Sequence, residues 1–360
     1  MKRSSASWLV CAFVAAATGC SYMGPGSVSI TRPEYNAAIQ QTNDRELLLN
    51  LVRLRYRDSL YFMNVERVVS ALEVNRAVGA SVTALEGAPD TFFGGGELGF
   101  IEKPTIFYAP LEGEQFVRHL MSPVTIDTLL LLTYSGWSVE RVFLLTLQEA
   151  NGLRNAPTAS GPTPELEPQY QEFREALRHL RALQSRHAVE IGRVQREDET
   201  VLELRLAEDT QDDPDARAFK ALLGLDSELN SFRIAVGIGR GARDTLVVAT
   251  RPLIATMNYL SQGVEPPPAD FTAGRVTRTV TRSGAPFEWQ TMLDGLFRVQ
   301  SSETRPQNAV VAARYRGSWF YIDDSDLDSK STFMLLSQLF ALQAGASPAP
   351  GPALNFSIGG

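Results

Sequence analysis

The chain has 360 residues, 44% hydrophobic and 21% charged, which suits one large domain or two ordinary ones and excludes wholesale disorder. Its formal net charge is −7, from 41 acidic and 34 basic residues, so a polybasic grip on nucleic acid or lipid headgroups is excluded. The only cysteines, Cys11 and Cys20, lie close to the N-terminus, and no disulfide or thiol chemistry is expected in the body of the chain.

Lys2 and Arg3 precede an apolar run from Trp8 to Ala17. A run of about ten residues is too short for a bilayer, which needs roughly twenty, and with its basic start it reads as a cleaved export signal over 1–19. Ala17-Thr18-Gly19-Cys20 resembles a lipobox at three of its four positions, with Ala17 where leucine is usual. The resemblance implies lipidation of Cys20, with diacylglycerol on its sulfur and a third, palmitate-type chain on its amine. Two or more acyl chains hold a protein stably, at ~0.8 kcal/mol per buried methylene. In such lipoproteins an aspartate after the cysteine retains the protein at the inner membrane. Ser21 therefore implies a lipid anchor in the outer membrane, facing the periplasm. Loss of Lys2 and Arg3 with the signal takes the charge from −7 to −9.

Residues 20–42 are tinged with Gly, Pro and Ser and read as a tether. A first folded region is expected over 43–154. Asn43 and Glu46 have the spacing of a capping box, and Leu47, Leu48, Leu51 and Leu54 form one apolar helical stripe. Arg45, Arg53 and Arg57 fall largely off that stripe, as a solvated face. Alternating segments predict strands at 61–74, 77–86 and 99–108, with Gly94-Gly95-Gly96 as a turn. Helices are predicted at 112–121 and 126–134. The segment 138–148 fits helix or strand equally.

Four prolines make 155–168 a linker or surface loop, and a second region is expected over 169–344. It should begin with a helix at 168–186, then strands at 188–194 and 200–206 and a short helix at 216–223. Strands at 232–237 and 245–249 are predicted to pair as a hairpin. Gly237-x-Gly239-x-x-Ala242 matches a dinucleotide fingerprint only formally, because strand rather than helix follows it. Pro252 starts a helix to 262. Strands follow at 275–281 and 296–302, then a hairpin of 310–315 with 319–322. The last helix, 327–343, is apolar almost all round and should be deeply packed or lie at an interface. Residues 345–360 read as a mobile tail. The fold class is therefore α+β, with a mixed or largely antiparallel sheet and packed helices.

The sequence carries little that specifies a reaction. His179 and His187 are eight apart, too far for a pair of zinc ligands on one helix. Glu175 and His179 make an ordinary surface pair. In the acidic run Asp323–Asp328 a calcium loop starting at Asp324 fails at Ser329 and Leu335, where glycine and glutamate are required. Helix capping accounts for those aspartates. Neither a Gly-x-Ser-x-Gly elbow nor a Ser-x-x-Lys pair is present. Carboxylates such as Glu112 and Glu114 could serve a glycosidase, and Tyr315, Trp319 and Tyr321 could stack on sugars, although cross-strand packing explains the aromatics too.

Three stretches carry a further resemblance: Asn43–Tyr56 (NDRELLLNLVRLRY), Tyr259–Glu265 (YLSQGVE) and Arg314–Asp324 (RYRGSWFYIDD) with the helix after it. Together they resemble an uncharacterised family of proteobacterial lipoproteins with no assigned activity. What this implies is location: a lipid-anchored envelope protein with no cofactor, metal or catalytic residue to carry over. The expectation is a non-catalytic binding or assembly component with an envelope protein partner. The alternative is a periplasmic hydrolase acting on envelope glycans or lipids through Asp/Glu chemistry.

Overall fold

The computed structural model describes residues 23–83, 91–162, 164–196 and 199–344. The expected signal peptide, Cys20 and the expected tail 345–360 lie outside the described residues. The described chain has the expected α+β composition. It divides into two compact units, one of residues 1–60 with 113–347 and one of 61–112 with 348–360.

The larger unit begins with α1, Met23–Arg55. Residues 23–42, expected as a tether, are helical, and Asn43 is not a cap, because the helix already runs through it. Thr42 Oγ1 donates to the Ala38 carbonyl at 2.8 Å, within that continuous helix. The reading as tether followed from its Gly, Pro and Ser content. Residues 33–46 of α1 are exposed or half-buried, and its buried face starts only with Leu47 and Leu48 and continues through Leu51 and Val52.

The smaller unit is a two-stranded antiparallel ribbon of β1, Met63–Thr83, and β2, Thr91–Pro110. Asn75 and Arg76 pair within it opposite Gly99 and Leu98, so the break expected near residue 75 is absent. Gly94, Gly95 and Gly96 are also paired, opposite Ala80, Gly79 and Val78, and are not the turn.

Back in the larger unit come α2, Glu114–Met121, α3, Ile126–Tyr134, and α4, Val139–Thr146. Thr125 and Ser138 cap α3 and α4 by accepting from the Thr128 and Arg141 amides. The ambiguous 138–148 segment is thus helix, and it passes directly into β3, Leu147–Ala150, followed by β4, Leu153–Arg154. Next are α5, Gln171–Ser185, β5, Val189–Arg196, β6, Glu199–Leu206, α6, Pro214–Leu223, β7, Ser231–Val236, and β8, Thr245–Thr250. These strands form one six-stranded sheet in the order β4-β3-β8-β7-β6-β5. Leu129, Leu130 and Phe143 of α3 and α4 share an apolar space with Leu202, Ile234 and Leu246 of the sheet.

The pairing of β7 with β8 is parallel, Arg233 with Thr245 through Val236 with Val248, so the expected hairpin is corrected. Residues 237–244 double back over β8. A Cβ on Gly241 would lie 2.8 Å from a Val247 methyl and 2.9 Å from the Thr245 carbonyl oxygen. The glycines therefore serve a close backbone return, neither a tight hairpin nor a phosphate cradle.

The stretch 155–168, expected as a linker or surface loop, runs inside the larger unit and joins no two units. Its start is tied down by Asn155, whose Nδ2 donates to the Leu144 and Leu147 carbonyls at 2.9 and 2.7 Å. Arg251, fully buried, donates to Ser160 Oγ, to the Leu144 carbonyl and to the Asn155 carbonyl, and stacks 4.2 Å from the Tyr259 ring centre. Prolines and polar residues made the segment look like a spacer, but its polar atoms are used inward.

Pro252 precedes α7, Leu253–Ser261, a helix with eight of its nine residues buried, packed by α1, α4 and α2. Then come α8, Pro268–Thr272, α9, Gln290–Leu293, and a three-stranded antiparallel sheet of β9, Gln300–Ser302, β10, Ala309–Tyr315, and β11, Ser318–Asp323, in the order β10-β11-β9. The predicted strand 275–281 is irregular, and its strand-like pairing is limited to isolated bridges of Val280 with Leu166 and Pro286. Arg316 and Gly317, at φ 47° and 93°, make the two-residue β10–β11 turn with both φ positive. The last helix, α10, Leu327–Ala344, buries one face, including Phe333, Leu336 and Leu339, and leaves Leu327, Met334 and Leu342 exposed, so it is not packed all round. Among the described residues no helix is long and apolar enough to cross a membrane.

Candidate functional site

In the larger unit, the C-terminal end of α1, the segment leaving α7, α8 and the stretch 278–290 enclose a cavity of about 330 Å³. That is near the lower end of the ~300–1,000 Å³ typical of small-ligand pockets. Its wall carries Phe271, Phe287 and Trp289, two guanidinium groups, Arg55 and Arg278, two carboxylates, Glu265 and Glu288, and two amides, Gln262 and Gln290.

The aromatic part is held rigidly. Trp289 is 7% exposed, and its indole N–H donates to Thr279 Oγ1 at 3.2 Å, while Thr279 donates in turn to the Pro164 carbonyl at 2.6 Å. Phe287 meets Trp289 edge to face, centroids 5.1 Å apart. Arg55 and Arg278 approach the Phe271 ring at 5.8 and 5.4 Å. Such contacts are favourable by ~0.5–2 kcal/mol each, more when desolvated. Arg55 is 3% exposed, and burial pushes its guanidinium down to about 10, still charged at neutral pH.

The two amides give the wall its chemistry. Gln262 is 2% exposed. Its Nε2 donates to the Asn258 carbonyl at 3.2 Å and lies 3.4 Å from Ser261 Oγ, which fixes the amide's orientation. Its Oε1 is buried with no hydrogen-bond partner, as is Gln290 Nε2. A buried amide atom without a partner costs ~1–3 kcal/mol, and both of these amides belong to residues of the cavity wall. Glu265 is engaged by Arg298, with oxygens 2.8 and 3.0 Å from Nε and Nη2.

A charged cluster braces one side. The Tyr56 hydroxyl donates to Asp270 Oδ2 at 2.6 Å, and Arg275 contacts Oδ1 at 2.8 Å. Burial alone would raise the Asp270 carboxyl, but Tyr56 and Arg275 outweigh it and hold the group below the usual carboxylate range. Burial, followed by the bond to Asp270, pushes the Tyr56 phenol far above its ordinary value. Tyr315 stacks edge-on to Tyr56 at 5.4 Å and donates to Asp58, and Arg316 bonds the same carboxylate oxygen at 2.9 Å.

The residues singled out from sequence are placed elsewhere or used structurally. Cys20, the lipidation candidate, lies outside the described residues. His179 Nδ1 lies 2.8 Å from Asp215 Oδ1, not against Glu175. Asp323 accepts from Ser325, Asp324 pairs with Lys330, Asp326 caps α10 through Ser329, and Asp328 pairs with Arg141, so the acidic run is dispersed among separate partners. Glu114 pairs with Arg118. Among the described residues no group of three or more His, Cys, Asp or Glu could hold a metal ion. Tyr315, Trp319 and Tyr321 lie on the hairpin: Tyr315 braces Tyr56, and Trp319 stacks with Arg305 at 5.6 Å. Sequence reading missed Arg55, Gln262, Phe271, Trp289 and Gln290. The available signal was weak: Arg55 falls inside the apolar stripe of α1, one residue beyond Leu54. The three stretches that carried the resemblance converge here, supplying Arg55 and Tyr56, Gln262 and Glu265, and Tyr315 and Arg316.

No family model, curated protein or solved structure matches the chain.

Proposed function

We propose that the chain is a non-catalytic binding component of the cell envelope, lipid-anchored through Cys20 on the periplasmic face of the outer membrane, and that the aromatic cavity is its binding site. The observation that carries the binding role is the Gln262 carbonyl oxygen, almost fully buried in the cavity wall without a donor. A purely apolar ligand would leave it unsatisfied, and a simple anion would meet it with repulsion. A ligand that suits the wall offers a donor to Gln262, an acceptor to Gln290 and an apolar face to Phe271 and Trp289. Two cations and two carboxylates favour a ligand without net charge. Those requirements describe a sugar ring of an envelope glycan, whose hydroxyls both donate and accept.

The test is saturable binding of soluble N-acetylhexosamine oligosaccharides by the detergent-solubilised chain, followed by tryptophan fluorescence. The expected result is binding that Gln262→Leu weakens at least tenfold while the melting temperature holds. Absence of saturable binding would sink the saccharide reading. The location is tested separately by membrane fractionation, where Cys20→Ala should release the protein.

The second reading, a hydrolase of envelope glycans, rests on Glu265 and Glu288 sharing the cavity wall. Glu265 is occupied by Arg298, which favours binding over acid–base work. Appearance of cleaved oligosaccharide, lost in Glu288→Gln, would favour the hydrolase instead.

A further inference from the structure

The ribbon has a pattern that the cavity does not explain. From Val74 opposite Phe100 to Thr83 opposite Thr91 it runs through ten unbroken residue pairs. Pleating puts alternate residues on opposite faces, and in this register even-numbered residues of both strands share one face. That face carries Val74, Val78, Ala80, Val82, Phe92, Leu98 and Phe100, with Gly94, Gly96 and one charge, Arg76. The odd face carries Asn75, Gly79, Ser81, Thr83, Thr91, Gly95, Glu97 and Gly99, with Ala77 and Phe93. Arg76 and Glu97 sit in the third and fourth pairs from the Phe100 end, and Glu73, Glu102 and Lys103 gather just beyond it.

Three physical constraints apply. A two-stranded ribbon is marginal in water unless something covers its apolar face. Among the described residues the sheet has only two strands, so neither edge has a ladder partner there, and the ten-pair stretch has neither the lysine nor the proline with which soluble proteins blunt an edge. Ten residues is the length with which a tilted strand crosses hydrocarbon, roughly 9–11. An apolar face alternating with a small, polar one is the pattern of a transmembrane strand, with aromatic residues toward its ends. Phe92 and Phe100 occupy such positions, in the ninth and first of the ten pairs.

We propose that residues 74–83 and 91–100 form a membrane-inserting β-hairpin, the even face against lipid, whose two edges pair with the same hairpin of further copies of this chain. In hydrocarbon every backbone donor and acceptor must be satisfied, so a lone hairpin cannot insert and a closed ring of copies can. Two strands from each copy give an even-stranded antiparallel barrel lined by the odd face. The inference goes beyond the binding role of the cavity and requires neither that role nor the lipid on Cys20.

The test uses the full chain with vesicles of phosphatidylethanolamine and phosphatidylglycerol. Single cysteines at positions 77 to 82 carry a polarity-sensitive fluorophore, with the parental chain giving the background from Cys11 and Cys20. Vesicles should raise emission severalfold at 78, 80 and 82 and leave 77, 79 and 81 near their values in water. Cross-linking on the vesicles should yield oligomers, and entrapped dye should escape. Val78→Lys should cut dye release at least tenfold, while Ser81→Lys should retain most of it. Uniform changes at odd and even positions, no change at all, or alternation with monomer alone would overturn the proposal. Melting curves of the lysine variants in detergent separate misfolding from failed insertion.

Discussion

Tyr56 and Asp270 show how much one hydroxyl can govern at the residue scale. Asp270 is 5% exposed and ionised, and its charge is compensated by Tyr56 and Arg275. Tyr56→Phe should cost about 1.5–3 kcal/mol, the range for a hydrogen bond to a charged group, read as a fall in denaturation midpoint at unchanged slope. The same carboxyl sets an acid limit. Its folded pKa lies below the unfolded value of ~3.9, so its contribution is complete above that value and is lost as pH falls through the folded one. Melting temperature should decline below about pH 4 in the native chain, and Asp270→Asn should flatten part of that decline.

The elements were unequally legible. The helix 126–134 and the 310–315/319–322 hairpin could be read because an apolar run between capping residues, or an alternating pair around Arg316-Gly317, fixes the local choice. The direction of β8 beside β7 could not, because a glycine-rich connection serves a hairpin and a short parallel return alike. The loop after β4 misled for a related reason. Its sequence is that of a spacer, and only Arg251, nearly a hundred residues later, makes it part of the core. Arg251→Met should therefore leave the Asn155 carbonyl without its side-chain donor, strip one of two donors from the Leu144 carbonyl, and destabilise the unit by on the order of 3 kcal/mol. Accelerated proteolysis within 155–162 would report it, and an unchanged cleavage rate would contradict it. The cavity was the least legible feature, since Arg55, Gln262 and Trp289 share no sequence motif.

Across the whole molecule, the division into two units makes its own prediction. Met63 lies opposite Pro110, and the Leu111 amide donates to the Phe62 carbonyl, so the ends of the ribbon are already side by side. Replacing Asn64–Ala109 with two glycines should shift the melting temperature of the remaining chain by less than about 3 °C, equivalent to under 1 kcal/mol for a domain of this size. A larger loss would show that the larger unit leans on the ribbon. The strand order of the six-stranded sheet carries a different consequence. β3 is flanked on its inner side by β8, whose residues follow about a hundred positions later, and β7 lies on the far side of β8. Loop closure over that distance must precede the gain from pairing, which slows folding. The centre of the sheet therefore assembles only after residue 250 has emerged from whatever channel delivers the chain. Until then β3 has no inner neighbour, and a chain threaded through a narrow export pore would arrive on the far side with its main sheet still unmade.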